Sequence, residues 1–259
     1  MMDGLLAQWP HFLLVLLRTS CLLVFWPVWD SRLIPVQVRI FSLLVIALAL
    51  TPVAAPWLPP LPSTWPALLA LVLREFLLGL SLGLLVRFFL AGVQMAGHLV
   101  SIQMGFGMVT LIDPHSQGQS TIIADLFLFL AILVFLGVNG HHFLLRLLAR
   151  SFEEIPMGRP LALPESLSLF LPRCGALMYQ LAVTLAAPVL AALFLTQVAL
   201  GVVARAVPQI QVMLLSFHLT IGLGLLFLSF TLTLLGSVLA GNLAGLKYPL
   251  HQVWQAWGG

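Results

Sequence analysis

The chain has 259 residues, of which 61% are hydrophobic and only 7% charged; soluble domains carry roughly 25% charged residues, so water is excluded as its main solvent. The formal charge of +3 rests on eleven Lys and Arg residues scattered one or two at a time, which excludes the clustered footprint of a nucleic-acid binder. Each membrane crossing needs about 20 apolar residues, so about six crossings or long hairpins is the ceiling and no second, soluble domain fits.

Met1 to Pro10 holds an acidic Asp3 and no basic region, and no small-residue cleavage site follows, so the first apolar run is expected to stay in the mature protein. That run, Trp9 to Trp29, is apolar apart from Arg18 and has aromatic residues at both edges, as suits a membrane interface. Cys21 and Cys174 lie far apart at apolar edges and make neither a disulfide framework nor a metal set; they read as buried thiols. Pro35 restarts the chain after Asp30, Ser31 and Arg32, and Ile40 to Ala55 forms a second span. A proline-rich break from Pro52 to Pro66 ends it, because proline cannot continue a helix. The third run, Ala67 to Ala91, carries Arg74, Glu75 and Arg87.

From Gly92 to Ser120 small and polar residues mix with Met and Phe. Irregular backbone there must face protein or a water-filled space, since lipid cannot satisfy its amides and carbonyls. Met104, Phe106, Met108 and Val109, interleaved with Gly105 and Gly107, suggest an adaptable apolar constriction that blocks ions by dewetting. An ordinary kinked core helix with glycine contacts fits the same spacing. A fourth run, Thr121 to Val138, contains Asp125 and stops at Asn139-Gly140. His141 to Phe152 reads as a short amphipathic helix with Arg146 and Arg150 on one face. Connectors follow around Pro156 to Pro160 and from Pro164 to Pro172.

The fifth run, Cys174 to Ala204, contains Pro188, where a kink is expected. Between Arg205 and Lys247 there is no charged residue. As one helix this interval would run roughly 60 Å, twice the bilayer core. It shows small residues at four-residue steps: Ser216, Thr220 and Gly224, then Ser229, Thr233, Ser237 and Gly241. Such a stripe predicts close packing on another helix rather than on lipid.

Glu75 and Asp125 sit in apolar runs, where carboxylates are costly and often functional. They fit either a proton or ion pathway or buried ion pairs with Arg18, Arg39 or Arg74. His141 and His142, with Asp113 or Asp125, invite a metal reading. Neighbouring helical residues point about 100° apart, however, and no further histidine stands three or four positions away, so no metal is expected. No nucleophile cluster or phosphate-binding glycine loop is present, and nothing supports an enzyme or a cofactor.

Ile34-Pro35-Val36-Gln37-Val38-Arg39-Ile40, Glu75-Phe76-Leu77-Leu78-Gly79 with Gly83, and Ala96-Gly97 with Gln103-Met104-Gly105-Phe106 and Asp113-Pro114 form one ordered series of landmarks. Asn139-Gly140-His141-His142, Ile155-Pro156 with Gly158, and Arg205 with Pro208-Gln209 continue it. The series resembles the FliR family of flagellar biosynthetic proteins along nearly the whole chain. The resemblance implies an all-α integral membrane protein of long kinked helical hairpins. Residues 1–165 would be FliP-like, with an inner gate loop over about 92–120, and 166–259 would be a FliQ-like hairpin. It implies one copy of the chain joined to several FliP-like and FliQ-like subunits in a channel for unfolded export substrates. That channel would sit in the bacterial inner membrane at the flagellar basal body, with FlhB-type and FlhA-type proteins as further partners. The plug would be Met104 to Val109, and Arg205, Pro208 and Gln209 would form a turn at the cytoplasmic mouth. Virulence injectisomes have a related subunit; the dense match from Asn139 to Gly158 favours the flagellar branch. A stand-alone transporter using Glu75 and Asp125 is the competing class.

Overall fold

The structure is a computed structural model and describes residues 2–26, 34–58, 60, 62–106, 121–158, 165–206 and 212–245. All regular structure among these residues is helical. The helices are α1 (Met2–Leu23), α2 (Val36–Ala54, extended by a short 3-10 turn, Ala55–Trp57), α3 (Trp65–Met104), α4 (Ile122–Gly137), α5 (Gly140–Glu154), α6 (Glu165–Ala206) and α7 (Val212–Gly245).

Three of them are far longer than a bilayer requires. With 40, 42 and 34 residues, α3, α6 and α7 run about 60, 63 and 51 Å at roughly 1.5 Å per residue, against a hydrocarbon core of about 30 Å. Their burial differs sharply. Of the most apolar stretch of α3, 61% is buried inside the chain, against 22% for α6 and α7 and 11% for α2.

The described residues fall into two compact units. The first draws on Met1–Phe88, Asn139–Cys174 and Leu243–Gly259, and the second on Phe89–Val138 and Gly175–Asn242. Each unit thus combines segments from both sides of residue 165.

In the first unit α2 lies against α1 and α5. The amphipathic spacing of α5 is visible in its burial: Leu144, Leu147, Leu148, Ser151 and Phe152 are buried, while Arg146 and Arg150 are exposed, the i, i+3, i+4, i+7, i+8 stripe of a one-sided helix. It starts after Asn139, whose φ of 58° and ψ of 34° are left-handed, a conformation asparagine tolerates better than most residues. The expected stop at Asn139-Gly140 is therefore present, with Asn139 taking the strained position and Gly140 opening α5. Helix α3 meets α1 through Gly79, where an added Cβ would stand 2.7 Å from both the Arg18 carbonyl oxygen and Cys21 Cβ.

In the second unit the end of α3 is the common neighbour of the other helices. A Cβ on Gly92 would lie 2.8 Å from the Met178 carbonyl of α6, and one on Gly97 2.7 Å from Ala124 Cα of α4. These contacts explain one correction. The segment expected as an inner loop from about 92 is helical through Met104, because its small residues serve as contact points for neighbouring helices and leave the helix unbroken. The connector expected from Pro164 to Pro172 is likewise helical from Glu165. Proline in a membrane helix is tolerated where neighbours re-satisfy the freed carbonyl. The first helix ends at Leu23, short of Trp29, which with Asp30 and Arg32 lies outside the described residues.

Candidate functional site

The first cluster is ionic. Arg18, Glu75 and Arg74 are almost wholly buried, at 0%, 0% and 2% exposure. Arg18 Nε donates to Glu75 Oε2 at 2.6 Å, and Arg74 Nη1 stands 3.8 Å from Glu75 Oε1. The remaining Arg18 donors turn to the end of α5: Nη1 to the Ser151 carbonyl at 2.7 Å and Nη2 to the Ile155 carbonyl at 3.2 Å. Arg74 Nη1 donates to the Pro156 carbonyl at 3.0 Å. The Ser151 carbonyl also accepts the Ile155 N–H at 3.2 Å, and the Ile155 and Pro156 carbonyls stand just past the helix; two arginines from other helices add charged donors at this negative end of the helix dipole. The guanidinium also lies 4.7 Å from the centroid of the Phe152 ring, within cation–π range. A carboxylate between two cations that themselves grip helix carbonyls is a structural staple, and it joins α1, α3 and α5.

The other two residues read as buried charges behave differently. Arg39 is half-buried and donates Nε to the Ile34 carbonyl at 3.1 Å. Asp125 is exposed on this chain; its expected burial is corrected, because the inward face of α4 is taken by Ile123, Ala124, Phe127, Ala131 and Phe135. Asp125 sits in the first turn of α4, where the helix dipole favours negative charge.

The second cluster is uncharged and lies where α3 ends. Gly105 has φ 96°; its N–H bonds the Ile102 carbonyl at 3.0 Å and the Phe106 N–H bonds the Ser101 carbonyl at 3.0 Å. This pair of bonds closes the helix in the Schellman manner, for which a residue without Cβ is favoured. Thr220 Oγ1 of α7 lies 3.2 Å from the Met104 carbonyl and 3.3 Å from the Phe217 carbonyl of its own helix, so its one proton is shared between these two acceptors. The Met104 side chain is fully buried in the notch of Gly224, where an added Cβ would come within 2.6 Å of Met104 Cγ. Phe217 packs under Gly105, its ring atoms 3.1 Å from where a Cβ would be. Gln103 Nε2 donates to Gln197 Oε1 of α6 at 3.2 Å.

Of the residues proposed from sequence as a plug, Met104, Gly105 and Phe106 are placed; Gly107, Met108 and Val109 lie outside the described residues, as do Pro208 and Gln209. Arg205 is exposed in the last turn of α6. The small-residue stripe of α7 divides. Thr220 and Gly224 are buried against α3, while Ser229, Thr233, Ser237 and Gly241 are exposed. The hydroxyls of Ser229, Thr233 and Ser237 donate to carbonyls three residues earlier in α7, at 2.7, 2.7 and 2.8 Å. That leaves a smooth face without unsatisfied donors. The His141 and His142 rings lie with centroids 4.2 Å apart, tilted by 41°, and no group of three metal-binding side chains occurs among the described residues. Cys21 and Cys174 are buried and unpaired with each other.

Comparison with known proteins adds a consistent finding. The family of bacterial export proteins, family 1, matches residues 9–245. The flagellar biosynthetic protein FliR of Bacillus subtilis (strain 168) is 34% identical over 232 residues, covering 88% of each chain. FliR of Escherichia coli (strain K12) is 31% identical over 217 residues, covering 84% of this chain and 80% of its own. The secretion system apparatus protein SsaT of Salmonella typhimurium is 28% identical over 151 residues, 58% of each chain.

Proposed function

The chain belongs to the bacterial export proteins, family 1, and from that premise we propose that it is a structural and gating subunit of the flagellar type III export gate, without enzymatic activity. It is an all-α, membrane-embedded subunit of the flagellar export apparatus. Its partners are FliP-like and FliQ-like subunits that complete a channel in the inner membrane, with one copy of this chain in each. Residues 1–165 play the FliP-like part and 166–259 the FliQ-like part. The turn at Arg205, Pro208 and Gln209 faces an FlhB-type protein at the cytoplasmic mouth, and an FlhA-type protein delivers unfolded substrates. The segment from Gly105 to Val109 closes the channel; Met104, expected in the plug, is instead buried in the Gly224 notch, because the glycine leaves room for its side chain, and it anchors the segment.

The observation that carries this reading is the mismatch between helix length and burial. Helices α6 and α7, of 42 and 34 residues, exceed what a bilayer of about 30 Å can cover, and only 22% of the most apolar stretch of each is buried by this chain. Protein partners must take the remainder, since apolar surface left in water is strongly disfavoured. The flagellar branch is favoured over the injectisome by the higher identity and wider coverage of the Bacillus subtilis and Escherichia coli FliR relatives, 88% and 80% against 58% of the relative's length. The transporter reading loses one of its two coupling carboxylates, because Glu75 is held between Arg18 and Arg74.

The gating role is tested by replacing Phe106 and Met108 with Ala in the assembled complex. Increased ion conductance across the membrane is expected; unchanged conductance with all subunits present removes the role.

A further inference from the structure

The last turn of α3 is gripped from two sides by helices that follow it by roughly ninety residues or more in the chain. From α6, Gln197 accepts a hydrogen bond from Gln103 at 3.2 Å. From α7, Thr220 reaches the Met104 carbonyl at 3.2 Å, Gly224 opens the notch for the Met104 side chain, and Phe217 lies against Gly105. The Phe106 N–H is bonded to Ser101, so the place of Phe106 follows from the end of α3. That end follows in turn from its grip on α7.

We infer that this clasp determines where the chain leaves α3, and that Thr220 and Gly224 are positioning residues for the gate. They act through Met104 and Gly105. The inference rests on the gating reading above and assigns its control to the C-terminal helices. Its chemistry suits a contact that opens and closes. It contains one hydroxyl–carbonyl bond, one amide–amide bond and a shape fit, with no charge to be separated. A neutral hydrogen bond contributes little net stability, and a methionine in a glycine notch slides more easily than a salt bridge breaks. A shift of α7 along α3 would release the Met104 carbonyl and side chain together.

The experiment uses the full chain in the assembled export apparatus of living cells, reading ion leakage across the membrane and the amount of complex formed. Gly224→Ala forces a methyl into the Met104 side chain and is expected to raise leakage on the order of tenfold. Thr220→Val keeps the shape, removes the donor and is expected to raise it roughly fivefold, whereas Thr220→Ser keeps leakage at the parental level. Combining Gly224→Ala with Met104→Ala exchanges one volume for the other and is expected to leak less than either single variant, the signature of direct coupling. If Gly224→Ala prevents assembly, the Thr220 pair decides alone. An arm combining Phe106→Ala with Met108→Ala separates the two claims. Leakage from that double variant with tight Thr220→Val and Gly224→Ala complexes overturns the clasp and leaves the gate standing; a tight double variant overturns the gate and the clasp with it.

Discussion

Two helices of this molecule, α5 and α3, end in the same predicament and solve it in opposite ways. The Ser151, Ile155 and Pro156 carbonyls at the end of α5 accept from Arg18 and Arg74, which share the buried Glu75. The Met104 carbonyl at the end of α3 accepts from the hydroxyl of Thr220. In the first unit the end is locked by charges that cannot part without leaving an ion uncompensated in an apolar interior. In the second it is held by a neutral bond and a glycine notch. Strong stapling belongs where the fold must not move, and weak clasping where a gate is proposed to do so.

The comparison breaks most readily at Glu75. Glu75→Ala leaves two buried guanidinium groups without their carboxylate, and breaking a buried pair in this way costs about 3–5 kcal/mol. The chain should fail to accumulate in membranes, as read by immunoblot; normal accumulation would show that the staple is dispensable. Arg18→Lys keeps the charge and loses the fork that spans Glu75, Ser151 and Ile155. A loss of about 1–3 kcal/mol is expected, visible as a lower thermal midpoint of the purified complex.

Gly79→Ala and Gly97→Ala sharpen the contrast from another side, because both press a methyl against a neighbouring backbone at 2.7 Å. Overpacking of this kind costs about 1–3 kcal/mol. The two variants should lower the thermal midpoint by similar amounts, since both units rely equally on close helix approach and differ only in how they satisfy helix ends. Thr220→Val should cost about 1 kcal/mol, well below Glu75→Ala and too little to prevent assembly. A loss of complex as severe as that of Glu75→Ala would erase the distinction between staple and clasp.

The smallest effect is expected at Gly201, where an added Cβ meets nothing within 4 Å. On the chain alone, Gly201→Ala should gain up to about 1 kcal/mol from helix propensity. A lower yield of the complex with an unchanged or more stable isolated chain would place a partner helix against that position.

Much of this was legible in the residues. Arg18 and Arg74 stood among the arginines weighed as partners for Glu75, because a carboxylate in an apolar run must find a cation. That both would also cap α5 was hidden, since backbone carbonyls leave no mark in a sequence. The helical stretch from Gly92 to Met104 was obscured by its Gly residues, which weaken helices in water and let them approach closely in a membrane bundle. The α7 stripe looked continuous, but the step from Gly224 to Ser229 is five residues, a rotation of about 140° at 3.6 residues per turn. One half therefore faces α3 and the other faces outward. Asp125 was misjudged because hydrophobic neighbours in sequence do not specify which way a helix face turns.

The exposed half of that stripe, with the broad uncovered faces of α6 and α2, states the central claim in its simplest form: this chain is completed by other proteins. Native mass measurement of the detergent-purified complex, with the chain expressed together with its genomic neighbours, tests it most directly. The account predicts a hetero-oligomer holding one copy of this chain and several copies of two other membrane subunits. A stable monomer, or a homo-oligomer of this chain alone, would contradict it.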